Sequence, residues 1–371
     1  MRRYAATLVL ALFVAMPALA SGEKEATDGG QQEGQDGEPR TVSVDITGVE
    51  EYRSLGPDAP SGEDLPDTVT VGLSWNEKTQ SLVEAWEDYM KQYSERYAEM
   101  TGTSFEWVVN VAGGDPTQQN SNIEDLITQD VDVIVARAED GNAIGSGIRA
   151  AKQAGIPFMT FDRQSANVQP NAHVGADSFA QGLRASRELA DLLEERGIEG
   201  RAIELIGDLR DVNAVNRHEA FEQVEEERGA WTTVAEVPTE WEPSKFRTGL
   251  ADALSANPDA NVLYVASDFA FDAVENALSQ HDKLQPAGEE GHMWTASNDL
   301  NPAGLEAMEN GYIDIAVTYD AYYHAIQAVK IIGRLAAGQE LNGTKYLVAG
   351  RLATPDNLDD MEFLWSREYS E

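Results

Sequence analysis

The chain has 371 residues, with 27 Lys and Arg against 65 Asp and Glu, a formal net charge of −38 and no cysteine. So acidic a surface cannot neutralise a phosphate backbone, which excludes nucleic acid as a partner, and the lack of cysteine excludes both disulfide staples and a lipid-modified cysteine anchor. The length exceeds what one small core needs and points to two lobes with separate cores.

In chain order, Met1-Arg-Arg-Tyr4 is a positive start, residues 5–16 are apolar, and Ala18-Leu-Ala20 fits a small-residue cleavage site. This reads as a cleaved export signal over residues 1–20, since its apolar run is shorter than the roughly 20 residues that span a bilayer. Residues 21–66 are rich in Gly, Glu, Gln, Asp and Pro. They read as an acidic flexible leader, in which only the alternation over residues 41–46 could act as a strand.

From Thr68 onward short apolar strands alternate with amphipathic helices. Strands are expected at 69–74, 105–111, 131–136 and 157–161, with helices between them. Leu82, Trp86, Tyr89, Tyr93 and Tyr97 mark the core face of the first helix, which ends at Thr101-Gly102. A polar break over 164–171 is followed by a second series of strands at 173–176, 202–206, 233–237, 262–266 and 293–296, again with intervening helices. A strand at 313–318, a helix at 322–335 and a strand at 346–349 close the pattern. Strands joined by helical crossovers form parallel sheets, so the fold class is α/β with two successive wraps.

One strand stands out. Ile156-Pro-Phe-Met-Thr-Phe-Asp-Arg163 is apolar and ends in an acid and a guanidinium. In an open α/β sheet the carboxyl ends of the strands are where ligands bind. Asp162 and Arg163 are therefore the leading candidates to hold a small polar molecule.

Catalytic patterns are wanting. The five histidines (His173, His218, His281, His292, His324) form no zinc-type pair, there is no Gly-x-Ser-x-Gly elbow or phosphate loop, and Gly145-Ser-Gly147 lacks the third glycine of a dinucleotide fingerprint. The expectation is a binding protein without cofactor or metal. A glycosidase built on two carboxylates is the enzymatic alternative.

Three segments carry a family resemblance: residues 122–135, the run Ala150-Ala-Lys-Gln-Ala-Gly-Ile-Pro157 leading to Asp162-Arg163, and Tyr264-Val-Ala-Ser-Asp268. Over residues 68–358 the chain resembles the type I periplasmic sugar-binding proteins of ABC transporters, the group of ribose-, xylose- and galactose-binding proteins. The resemblance implies two Rossmann-like lobes joined by a three-segment hinge and closing on a ligand. The crossings are expected near 162–165, 318–320 and 341–345. An amino-terminal lobe would then comprise 67–163 plus 320–345, and a carboxyl-terminal lobe 164–319 plus 346–371.

It also implies site residues. Asp162 and Arg163 match the pair that binds sugar hydroxyls, a carboxylate accepting while a guanidinium fork donates. Trp241 matches an aromatic that packs on a sugar face, and Asp299 an acid at a strand end of the second lobe. Asn213 resembles a ligand-reaching Asn, with Arg217 as a competing candidate. Asp268 stands where the family has Asn, and Asp320 where it has Gln or Lys. In the first loop Asn76 and Trp75 are further candidates, Trp75 being the only aromatic where the ribose-binding type has paired Phe. Acids converging on one cleft favour a neutral sugar, polyol or amino sugar over an anion. By resemblance the protein is a periplasmic monomer that passes a monosaccharide to an ABC permease, or presents it to a chemoreceptor or a sensor-kinase ectodomain.

Overall fold

The computed structural model describes residues 40–44, 65–78 and 81–369; the export signal and most of the acidic leader lie outside them. The first wrap runs β1 (Thr41–Val44), β2 (Thr68–Trp75), α1 (Ser81–Thr101), β3 (Ser104–Val111), α2 (Pro116–Thr128), β4 (Val133–Ala136), α3 (Gly145–Ala154), β5 (Phe158–Phe161) and β6 (Ala172–Ala176). The second runs α4 (Ser178–Arg196), β7 (Gly200–Ile206), α5 (Val212–Arg228), β8 (Trp231–Pro238), α6 (Pro243–Ala256), β9 (Val262–Val265), α7 (Phe271–Gln280), β10 (Trp294–Asp299), α8 (Pro302–Glu309) and β11 (Ile315–Thr318). The chain then returns through α9 (Ala321–Ala336) and β12 (Thr344–Val348), and ends with β13 (Leu352–Ala353) and the short α10 (Trp365–Glu368).

These strands make two sheets, in the orders β1-β12-β6-β5-β4-β2-β3 and β13-β11-β10-β9-β7-β8. All pairings are parallel except that of β13 with β11. Parallel strands with helices on both faces are buried on both sides, which is why Val133–Ala136 is apolar throughout, Phe158–Phe161 is apolar but for Thr160, and both are wholly buried. Gly155 shows how a helix is stopped before such a strand: it ends α3 in the left-handed region at φ 78°, where a Cβ would be strained.

Each sheet has a core on either face. In the first lobe Trp75, Trp86, Tyr97 and Phe161 pack with α9 residues such as Ile332, while Ile123, Ile134 and Ile148 pack on the opposite face. The tyrosines at helical spacing on α1 belong to this core. In the second lobe Phe246, Phe271 and Leu305 cover one face of the sheet and Leu189, Phe221 and Tyr264 the other.

The two-wrap α/β architecture follows the sequence, but two of the three expected crossings move. Ala172–Ala176 lies beside β5, and Thr344–Val348 lies beside β6, so both belong to the first sheet. The crossings therefore fall at Asp177, at Tyr319-Asp320 and at residues 349–351. They are tied to one another: the Asp177 N–H donates to Val348 O (2.8 Å) and the Thr318 N–H to Arg351 O (2.9 Å). Asp320, expected at the ligand, instead pairs with Arg351 at 3.1 Å within this hinge.

Two further features refine the sequence reading, which allowed a strand over residues 41–46 but kept it in a flexible leader. Thr41–Val44 adds a strand to the edge of the first sheet beside β12, so this part of the leader is integrated into the lobe. The tail, assigned by sequence to the second lobe, joins both lobes. Leu364 enters the second lobe's core and Trp365 the first's. Tyr89 Oη on α1 donates to Glu368 at 2.6 Å, and Tyr369 packs edge-on against Tyr89.

Candidate functional site

The carboxyl ends of both sheets face one another across a cleft of about 1330 Å³. At its base lies a small inner cavity of about 40 Å³. Asp162 and Arg163 follow β5, Arg137 follows β4 and Asn76 follows β2. From the second lobe Asp211 and Asn213 come from the start of α5, Arg217 from its next turn, Trp241 from the turn after β8, and Asp299 from the end of β10.

Three buried Arg–carboxylate pairs line the inner cavity. Arg137 Nε donates to Asp162 Oδ2 at 2.5 Å. Arg217 grips Asp299 through both terminal nitrogens, and Ser267 Oγ donates to the same carboxylate. Arg163 Nε lies 3.1 Å from Asp211 Oδ2, a pair that spans the two lobes. Burial opposes ionisation of Asp162, yet the adjacent Arg137 and Arg163 charges hold its carboxyl below the ordinary range. At Asp211 burial prevails over Arg163, and the carboxyl is pushed up.

Further bonds knit the lobes. Asn213 Nδ2 donates to Asp162 Oδ1 at 3.2 Å, and Tyr319 Oη donates to the same oxygen at 2.7 Å. Asp162 holds this position at φ 60°, a left-handed conformation that turns its carboxylate toward the hinge. Trp241 Nε1 donates to Asp211 Oδ2 at 3.2 Å. Its indole lies over Gly207, where a Cβ would stand 2.1 Å from the ring, so the lack of a side chain there lets Trp241 reach the cavity. Arg217 Nε, buried, has no hydrogen-bond partner among the described residues.

Of the sequence candidates, Asp162, Arg163, Asn213, Arg217, Trp241 and Asp299 line the inner cavity, and Asn76 lines the outer cleft. Asn76 is engaged by Arg137 and Glu139. Trp75 does not reach the cleft. It is the last residue of β2 and, by strand alternation, faces the helix layer, stacking on Trp86 with ring centroids 6.2 Å apart. Asp268 is also turned away. It accepts hydrogen bonds from Ser297 Oγ, the Leu300 and Asn301 N–H groups and Asn301 Nδ2, and so braces the loop that presents Asp299.

Sequence reasoning missed Arg137, Asp211 and Tyr319. Arg137 had the same signal as Asp162, a charge directly after a wholly apolar strand. Among the described residues no group of His, Asp and Glu is arranged to hold a metal ion, and no helix is long and apolar enough to cross a membrane.

The family model described as a periplasmic binding protein domain matches residues 79–340. The chain belongs to the periplasmic binding protein family. This is a family of binding proteins and not of enzymes. Among curated relatives, this periplasmic binding protein is 24% identical to the ribose import binding protein of Salmonella typhimurium over 259 residues, covering 70% of this chain and 83% of that one. It is 26% identical to the D-xylose-binding periplasmic protein of Escherichia coli over 257 residues, covering 67% and 75%. An ABC transporter solute binding protein from Bacillus halodurans, solved with bound myo-inositol, superposes with a TM-score of 0.70 at 25% identity, covering 81% of this chain and 98% of that one.

Proposed function

We propose that this periplasmic binding protein captures a neutral monosaccharide or polyol between its lobes and delivers it to the permease of an ABC importer. The observation that carries the reading is the inner cavity, where three guanidinium–carboxylate pairs from two opposed sheets converge beside an indole face. Paired charges leave the wall without a net charge to match an ion, while they still offer directed donors and acceptors. A polyhydroxylated ligand can use both, and its C–H face can pack on Trp241.

The named relatives support this direction, since ribose, xylose and myo-inositol are polyhydroxylated and uncharged. Export to the periplasm is supported by the family description together with the first twenty residues. Asp162, Arg163, Asn213, Arg217, Trp241 and Asp299, with Arg137 and Asp211, are the residues assigned to binding. A thermal-shift screen over pentoses, hexoses, polyols and amino sugars tests the reading, because a ligand bound only by the folded state raises the melting temperature. A shift with one of these compounds is expected; no shift with any of them would overturn it.

A further inference from the structure

Arg163, Trp241, Phe269 and Asn301 line both the inner cavity and the outer cleft, so these residues stand where the one opens into the other. Arg163 is paired with Asp211, and the Trp241 and Phe269 rings meet edge to face with centroids 6.3 Å apart. Asn301 is the remaining one, a polar side chain only 3% exposed.

The amide of Asn301 is oriented by Asp268. One oxygen of that wholly buried carboxylate accepts from the Asn301 N–H at 2.7 Å and from Asn301 Nδ2 at 3.0 Å. The other accepts from Ser297 Oγ and the Leu300 N–H. Burial and the nearby Asp299 push the Asp268 carboxyl up to about 7, but a proton on it would face one of these four donors. Asp268 therefore acts as an acceptor, and the amide must turn its NH2 toward it. Gly304 backs the same carboxylate, since a Cβ there would run into Asp268 Cγ.

The oxygen of the amide is left over. Asn301 is the N-cap residue of α8, where an Asn oxygen ordinarily accepts from the first turn, yet its side chain makes no such bond. No described residue donates to Asn301 Oδ1, which sits on the other arm of the planar amide from the Nδ2 held by Asp268. The neighbouring amides are engaged: Asn213 Oδ1 accepts from Ser178 Oγ at 2.9 Å, and Asn76 Oδ1 from Arg137 at 2.7 Å. A carbonyl oxygen so enclosed is costly to leave without a donor.

We infer that Asn301 is a ligand-binding residue whose Oδ1 accepts a hydrogen bond from the hydroxyl at the outward end of the ligand, and that this hydroxyl is required for tight binding. This rests on the sugar-or-polyol reading above. Trp241 covers C–H groups of the ligand, and Asn301 fixes the direction of the hydroxyl beside them. A ligand without that hydroxyl leaves the acceptor unsatisfied, which corresponds to a loss of affinity of roughly 5- to 150-fold.

The test is calorimetric titration of the full chain with D-ribose, D-xylose, D-glucose, D-galactose, xylitol and myo-inositol, then with each monodeoxy analogue of the tightest binder. The natural protein is compared with Asn301→Ser, which keeps a donor for Asp268 and a favoured N-cap residue but lacks the carbonyl oxygen. At one hydroxyl position the parent-to-analogue affinity ratio should be about 5-fold or more in the natural protein and should fall by about 5-fold or more in the variant, with the other positions unchanged. A purely structural role would weaken parent and analogues together, so ratios unchanged at every position overturn the assignment. If Asn301→Ser fails to fold, a crystal structure of the natural protein with the tightest binder decides: a ligand hydroxyl about 3 Å from Asn301 Oδ1 is expected, and none within reach overturns the assignment. Binding of none of the parent compounds overturns the sugar-or-polyol reading and this assignment with it, an outcome distinct from tight binding with unchanged ratios.

Discussion

Replacing Asp211 by Asn probes the buried charge pair with Arg163 that crosses the cleft, beside the more exposed Arg210–Glu139 pair at 3.7 Å. The substitution keeps volume and keeps the cap of α5, because Asp211 Oδ1 accepts from the Asn213 N–H at 3.0 Å and an Asn side chain caps equally well. With its single oxygen at that cap, the amide nitrogen takes the place of Oδ2, so the hydrogen bond from the Trp241 indole is lost as well. What the substitution chiefly removes is the charge facing Arg163, in a pair whose side chains are 7% and 4% exposed. Breaking a buried pair normally costs about 3–5 kcal/mol because the surviving charge is stranded. Here the stranded Arg163 has an exit, since parting of the lobes rehydrates it without unfolding either core. The loss should therefore appear mainly as a shift of the hinge toward the open form. Close charge pairs across an interface couple by about 1.5 kcal/mol or more, so affinity for the ligand should fall at least roughly 10-fold. Calorimetry with the sugar found by thermal shift measures the affinity, and small-angle scattering of the ligand-free protein should show a larger radius of gyration. Unchanged affinity together with unchanged scattering would refute a closing role for this pair.

Other predictions are more local. Gly207→Ala places a Cβ on the Trp241 ring and must displace the indole, so binding should weaken by at least about 10-fold with little change in far-ultraviolet circular dichroism; undiminished binding removes Trp241 from the site. Trp365→Ala should lower stability by about 3–5 kcal/mol in urea denaturation, because its indole is 3% exposed within the first lobe's core; a cost below about 1 kcal/mol would mean the tail is not anchored there. His218, partly exposed, and the buried Glu204 form a pair on the second lobe, Nδ1 donating at 2.9 Å. The hydrogen bond to Glu204 lifts His218 to about 9, and burial lifts Glu204 to about 7. Both groups hold protons more tightly folded than unfolded, so their contribution is fully present at low pH and is lost as pH rises through these values. The melting temperature should fall more between about pH 6 and pH 9.5 in the natural protein than in the Glu204→Gln, His218→Gln variant; equal slopes would contradict the pairing.

The fold was legible where apolar runs and helical spacing repeat, as in the tyrosine face of α1 and the buried strand over Phe158–Phe161. Asp162 and Arg163 were legible because charges rarely follow so apolar a strand without purpose. Sheet membership was not. Nothing in Ala172–Ala176 or Thr344–Val348 says which sheet edge will receive a short buried strand, and this displaced two crossings. Trp75 was misjudged because adjacent strand residues point to opposite faces, so Asn76 reaches the cleft while its neighbour cannot. Asp268 was misjudged because a carboxylate at a strand end serves equally to gather backbone N–H groups, as it does for Leu300 and Asn301. The tail from residue 354 has no periodic pattern, and its attachment to α1 depends on partners more than two hundred residues away in sequence.

The pairing of every inner arginine with a carboxylate has a consequence for capture kinetics. The chain as a whole carries −38 charges, and such a field repels anions and draws cations over distances set by the surrounding salt. An uncharged solute feels none of this pull, and the inner wall adds no monopole of its own. Encounter is then governed by diffusion and fit, so the rate of uptake should stay level across dilute and saline surroundings.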